Sequence, residues 1–308
     1  MSSVERSATN GPSAVVLSGG ASLGAAQVGM LRAIVEVGTP IDLVVGTSVG
    51  AFNAAWLADH PGPRGIDGLV DVWKSLRRRD VFPLNPRHSL AAIRGRRPSI
   101  ASDKGLRSLL SRHLSFERLE DSAIPLHVVA VDVQSGRDVL LSSGPAVDAI
   151  VASASIPGLL PPVEIAGRWY MDGGVVNNTP ISYAVGLRAR IVWVVPAGFP
   201  CALSHPPTSA LSMALQGLST LVQHRLAQDA MHFHDGIELR VVPPLCPVNV
   251  APADFSQSGE LIERAYASTV AWLVNGCPDV SASLYPHDHL ATAPTNPIDS
   301  TFSEPAHD

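Results

Sequence analysis

Short β-branched runs punctuated by glycine open the chain, and their spacing sets the fold class. Residues 14–18 (AVVLS) are an apolar run ending in Gly19-Gly20, the pattern of a buried strand entering a tight turn. Residues 25–37 follow with Val28, Leu31, Ile34 and Val35 at helical spacing, and Gly38 stops that helix. A second strand over 42–45 runs into Gly46-Thr47-Ser48-Val49-Gly50 and then a small-residue helix over 51–58. Strand, helix, strand, helix in so short a span predicts a parallel sheet with right-handed crossovers.

Helical periodicity continues over 66–79 and 104–114, flanking a Pro- and Arg-rich stretch, 80–100, expected to be irregular. Strands are expected over 126–133 and 138–141, around Gln134-Ser135-Gly136, and over 168–171, 191–195 and 237–242. Further helices are expected over 146–155, 209–231 and 258–274. From Pro278 onward periodicity is lost, so 278–308 reads as a disordered tail. The expected organisation is a flexible segment 1–12, one domain over 13–277 with 80–100 as a cap or loop, and that tail.

Composition narrows the function classes. The 308 residues are 46% hydrophobic and 16% charged, which excludes disorder as the dominant state. A net charge of −5 and a pI near 6.1 exclude a globally basic nucleic-acid binder. No apolar run is long enough to span a bilayer as a helix, and the polar start (MSSVERSATNGPS) lacks the apolar core of a secretory signal. The expected location is therefore cytoplasmic. Cys201, Cys246 and Cys277 are odd in number and far apart, neither a disulfide framework nor a zinc spacing.

The segment Gly46-Thr47-Ser48-Val49-Gly50 has the strand before it and helix after it that a nucleophile elbow requires. Ser48 on such a turn occupies strained backbone, and side chains at 46 and 50 would collide with it. The competing reading is an ordinary glycine-rich turn with an incidental serine. Upstream, Ser18-Gly19-Gly20-Ala21-Ser22-Leu23-Gly24 can converge its N–H groups on an anion, as an oxyanion loop must. A dinucleotide fingerprint fits less well, because Ala21 stands where its second glycine belongs, and no Gly-Lys-Ser/Thr follows for a P-loop.

A histidine base is missing from the pattern. Of eleven histidines, His224, His232 and His234 lie in or near a predicted helix and His287 and His289 in the tail. His232-Phe233-His234-Asp235 has no further ligand at metal spacing, so no metal is expected. Asp172 stands out instead. Tyr170-Met171-Asp172-Gly173-Gly174 puts a carboxylate at a strand end before two glycines, where it could serve as a general base or simply form an Asp-Gly turn.

Taken together, the glycine-rich loop, G-x-S-x-G and D-G-G, with Val151-Ala152-Ser153-Ala154-Ser155-Ile156-Pro157 and Pro161-Pro162-Val163 between them, resemble the patatin-like phospholipase family over about 14–195. The resemblance implies a three-layer α/β/α sandwich around a mostly parallel sheet. It implies a dyad of Ser48 as nucleophile and Asp172 as base, an oxyanion loop of Gly19, Gly20 and Ala21, and supporting roles for Gly24, Gly46, Gly50, Gly173 and Gly174. It also implies no cofactor, no metal, and a lipid acyl ester, phospholipid or lysophospholipid among them, as substrate. The family's loop usually reads G-G-G-x-[RK]-G. Ala21 and Leu23 depart from it, which predicts backbone strain at 21 and a weaker field at the oxyanion. A binding or regulatory protein with impaired chemistry, and an acyl thioesterase, are the alternatives. Seven arginines against one acid between Arg77 and Arg97, interleaved with Phe82, Leu84, Leu90 and Ile93, suit contact with an anionic membrane surface. Arginines paired to helix acids are the competing reading there.

Overall fold

The computed structural model describes residues 11–83, 85–198 and 237–278, with isolated positions between 206 and 226. Strands β1 (Ser13–Leu17) and β2 (Leu43–Thr47) are buried along their whole length, as continuous apolar runs covered on both faces must be. They pair in parallel with each other. β2 also pairs in parallel with β3 (Leu126–Asp132), β1 with β7 (Ile191–Val195), and β7 with β8 (Glu238–Val241). The antiparallel members are β4 (Asp138–Leu141) and β6 (Arg168–Asp172), both on β3, and β5 (Val163–Ile165) on β6. The described strands form one sheet in the order β5-β6-β3-β2-β1-β7-β8, with β4 also on β3.

The described helices are α1 (Gly24–Glu36), α2 (Val49–Asp59), α3 (Pro63–Ser75), α4 (Arg78–Val81), α5 (Pro86–Ile93), α6 (Lys104–His113), α7 (Ala146–Ser153), α8 (Ile181–Gly186) and α9 (Ser258–Val274). Alternation along the central strands divides the core between two faces. Val15, Leu17, Val44, Val128 and Ala130 join a cluster with α1, α2, α3, α6, α7 and α9. Ala14, Val16, Val45 and Val129 join a second cluster with Ile181 and Ala184 of α8. Helices on both faces of a mostly parallel sheet make the expected α/β/α sandwich.

One register detail places the functional residues. At Val128 and Val129, β3 is paired with β2 and β4; at Ala130 and Val131 it is paired with β4 and β6. A strand has two edges, so β2 and β6 lie end to end along the same one, running toward each other. They meet where Thr47, opposite Val129, gives way to Asp172, opposite Ala130.

The structure differs from expectation in several places. The helix expected over 66–79 begins at Pro63, a residue suited to a first helical turn, and ends where Leu76 becomes extended (φ −68°, ψ 135°). The stretch 80–100 is not irregular throughout. It holds the end of α4 and the whole of α5, which Asn85 caps by accepting from the N–H groups of Arg87 and His88 ahead of Pro86. Strand β5 was not expected; Ala166 and Gly167, with φ of 50° and 77°, make the two-residue turn that pairs it with β6. Helix α8, only six residues long, was not expected either. Cys246 is disulfide-bonded, contrary to the reading of the cysteine spacing, and Cys277 is free. Segment 1–10, most of the helix expected over 209–231, and residues 279–308 of the expected tail lie outside the described residues.

Candidate active site

Ser48 follows β2 directly and caps α2 with a backbone at φ 55° and ψ −124°, a conformation that L-residues adopt only under constraint. The two glycines of the turn supply that constraint. A Cβ on Gly46 would lie 2.5 Å from the carbonyl oxygen of Gly50, and one on Gly50 would collide with the carbonyl oxygen of Leu17. Ser153 braces the turn from α7: its hydroxyl accepts the Ser48 N–H at 2.8 Å and donates to the Val129 carbonyl at 2.6 Å. As the N-cap of α2, Ser48 sits at the end of that helix which carries the partial positive charge of its dipole.

Because β2 and β6 abut, Asp172 reaches Ser48 directly. Ser48 Oγ donates to Asp172 Oδ2 at 2.7 Å, and Asp172 Oδ1 accepts the Gly174 N–H at 2.7 Å. The Asp172 N–H is held by the Ser155 carbonyl at 3.0 Å. Both side chains are buried. Burial raises the Asp172 carboxyl from 3.8 to about 6, against the opposing pull of the bonds from Ser48 and Gly174. Its deprotonated form is thus a stronger base than an ordinary carboxylate, yet it remains available at neutral pH.

The glycine-rich loop lies across from this pair. Gly19 is clamped by Asn178, whose carbonyl accepts the Gly19 N–H at 3.1 Å and whose Nδ2 donates to the Gly19 carbonyl at 3.2 Å. That commitment removes Gly19 as a free donor, a revision of the three-residue loop expected from the sequence. The N–H groups of Gly20 and Ala21 make no hydrogen bond among the described residues, and both residues line a cavity with Ser48 and Asp172. Ala21 has φ 50°, the strain expected of a non-glycine residue there, and Leu23 is buried where the family's basic residue would stand.

Ser48, Ala21 and Ile156 are shared by two adjoining cavities. One, of about 530 Å³, is walled by Phe52, Trp73, Leu106, Leu109, Ile150 and Phe255 among others. The second, of about 590 Å³, contains the glycine loop, Asp172, Asn178 and Pro252. Among the described residues that line them, Asp172 is the only ionisable side chain. The described histidines, His60, His88, His113 and His127, line neither cavity; His224, His232, His234, His287 and His289 lie outside the described residues.

Beside the apolar cavity, to which Val81 and Phe82 contribute, α4 and α5 carry the basic stretch. α5 is pinned by Ser89 Oγ to the Ile100 carbonyl at 2.9 Å and by His88 to that of Ser99 at 3.0 Å. Its outer face leaves Ile93 77% and Leu90 46% exposed. Among the described residues, Arg87, Arg94, Arg96 and Arg97 are paired with no carboxylate, and Arg79 approaches Asp80 only to 4.0 Å. No described helix is long and apolar enough to cross a membrane.

The sequence singled out Ser48, Asp172 and the loop, which the structure brings together, but gave no part to Ser153, Ser155 or Asn178, whose contacts reach across the fold. The chain is 28% identical over 207 residues to patatin-like phospholipase domain-containing protein 7 of Mus musculus, covering 64% of this chain and 14% of that protein. It is 29% identical over 192 residues to lysophospholipase NTE1 of Pyricularia oryzae, covering 60% of this chain and 12% of that one. The chain thus matches about an eighth of the length of these relatives. VipD from Legionella pneumophila overlays with a TM-score of 0.48 at 17% identity, over 86% of this chain and 67% of that chain. The family description "Patatin-like phospholipase" matches residues 15–185, more than half of the sequence, and the chain belongs to that family.

Proposed function

We propose that this protein is a serine acyl hydrolase that cleaves carboxylic ester bonds of lipids through an acyl-enzyme, with Ser48 and Asp172 as its dyad. The 2.7 Å hydrogen bond from Ser48 Oγ to the buried Asp172 carboxylate carries the reading. Asp172 takes the hydroxyl proton as Oγ attacks the ester carbonyl, and the oxyanion is received by the N–H groups of Gly20 and Ala21. Collapse breaks the ester C–O bond, and the departing alcohol takes the proton from Asp172. Water then attacks the acyl-enzyme with Asp172 again as base, releasing the fatty acid and restoring Ser48. The apolar cavity suits the acyl chain, and the cavity holding the glycine loop suits the alcohol portion. That relatives are named lysophospholipases supports a lysophospholipid or phospholipid ester as the substrate class. The test is turnover of such esters by wild type, Ser48→Ala and Asp172→Asn. Both variants are expected to fold and to lose hydrolysis, and retained hydrolysis in Ser48→Ala defeats the assignment.

The same reading makes α4–α5 the face that meets lipid. Arginines that pair with no carboxylate among the described residues, around exposed Leu90 and Ile93, suit an anionic bilayer, each cation contributing about 1 kcal/mol near such a surface. Replacing Arg94, Arg96 and Arg97 with Ser should weaken sedimentation with phosphatidylserine vesicles and leave hydrolysis of a soluble ester intact. Unchanged sedimentation removes the docking face from the reading.

A further inference from the structure

Behind the glycine loop runs a buried chain of side-chain hydrogen bonds that the chemistry above does not use. Trp73 Nε1 donates to Asn53 Oδ1 at 2.9 Å. Asn53 Nδ2 donates to Gln27 Oε1 at 2.9 Å and to the Gly24 carbonyl at 3.0 Å. Gln27 Nε2 donates to the carbonyls of Ser18 and Val195, both at 2.9 Å. The direction of every bond is forced. Indole nitrogen can only donate, so Asn53 presents oxygen to it and its amide to Gln27, which must then present its own amide to the two carbonyls. Gln27 and Asn53 are 0% exposed and Trp73 1%.

The chain joins the parts whose separation the reaction depends on. Asn53 belongs to α2, the helix that Ser48 caps. Its bond to Gly24 holds the far end of the glycine loop, and through Gln27 it holds the near end at Ser18, where β1 and β7 part. Loop and nucleophile are thus fixed to one another by two amides, while Trp73 anchors the series from the wall of the apolar cavity. We propose that Gln27, oriented by Asn53 and Trp73, is a positioning residue that sets the Gly20 and Ala21 N–H groups relative to Ser48 Oγ. This inference rests on the acyl-hydrolase reading.

The test is Gln27→Met, which keeps length and removes both donors, assayed on soluble 4-nitrophenyl butyrate beside wild type and Ser48→Ala. A misplaced oxyanion donor predicts kcat lower by about 10- to 100-fold with KM within about twofold. The acidic limb of the pH profile should stay where wild type has it, because Gln27 does not touch Asp172. A merely structural role would lower the melting temperature and the active fraction but leave kcat per active site intact, and that result overturns the inference. If Gln27→Met does not fold, Trp73→Phe keeps the aromatic wall and removes the last donor. It should lower kcat roughly fivefold, as loss of one hydrogen bond does, and an unchanged kcat overturns the inference equally. Absence of Ser48-dependent turnover in wild type would sink the hydrolase reading and this inference with it. Full kcat in folded Gln27→Met sinks this inference alone.

Discussion

Two short segments face each other across the site, and each holds a non-glycine residue with left-handed backbone: Ser48 at φ 55° and Ala21 at φ 50°. They are held there differently. The elbow is constrained chiefly within its own turn, by Gly46 and Gly50 two positions to either side and by the helix that follows, with Ser153 of α7 as a single brace from outside. The glycine loop is constrained from a distance, by Asn178 after β6, Gln27 on α1 and Asn53 on α2. Where the constraint is local, a motif encodes the geometry; where it is distributed, the geometry depends on residues that carry no motif.

Removing the Ser48 hydroxyl breaks this pairing most completely. Ser48→Ala should reduce lipid-ester turnover by at least about a thousandfold while the protein remains folded. Asp172→Asn should cost a similar factor while raising stability. A carboxyl raised to about 6 is protonated in the folded protein at pH values where the unfolded chain, at 3.8, has lost its proton. Its destabilisation is therefore absent below 3.8, grows between 3.8 and about 6, and is fully present above that. Asp172→Asn removes it, so denaturant titration at pH 8 should show a gain of about 3 kcal/mol that disappears near pH 4.

The elbow's dependence on its glycines is tested by Gly50→Ala. Overpacking against the Leu17 carbonyl should lower stability by about 1–3 kcal/mol and reduce turnover. In the wild type, kcat/KM should fall about tenfold per pH unit below pH 6 as Asp172 is protonated. The smallest effect is expected at the loop. Ala21→Gly relieves about 1–2 kcal/mol of left-handed strain, against about 0.4–1 kcal/mol of added freedom in the unfolded chain. A slight gain in thermal stability should result; a loss would show that the Ala21 side chain is needed for packing.

The same contrast explains what was legible in the sequence. Ser48 and Asp172 could be marked because each sits in a motif dictated by its own turn, and α9 could be bounded because its periodicity is long and regular. β5 and α8 escaped because three and six residues are too few to show a period. α5 carried a readable signal, Asn85 before Pro86, but the density of arginine and proline around it masked the pattern. Ser153 lay in a segment already singled out, yet its function depends on β3 bringing Val129 beside Ser48, a contact between residues far apart in the chain. Gly19 was assigned as a donor because loop composition does not say which N–H groups the rest of the fold consumes; Asn178 consumes that one.

Whether Asp172 activates Ser48 for covalent catalysis is decided by intact mass after exposure to a fluorophosphonate. A single adduct should map to Ser48 in the wild type and be absent from Asp172→Asn under the same conditions. An unmodified wild-type protein, or equal labelling of Asp172→Asn, would contradict it.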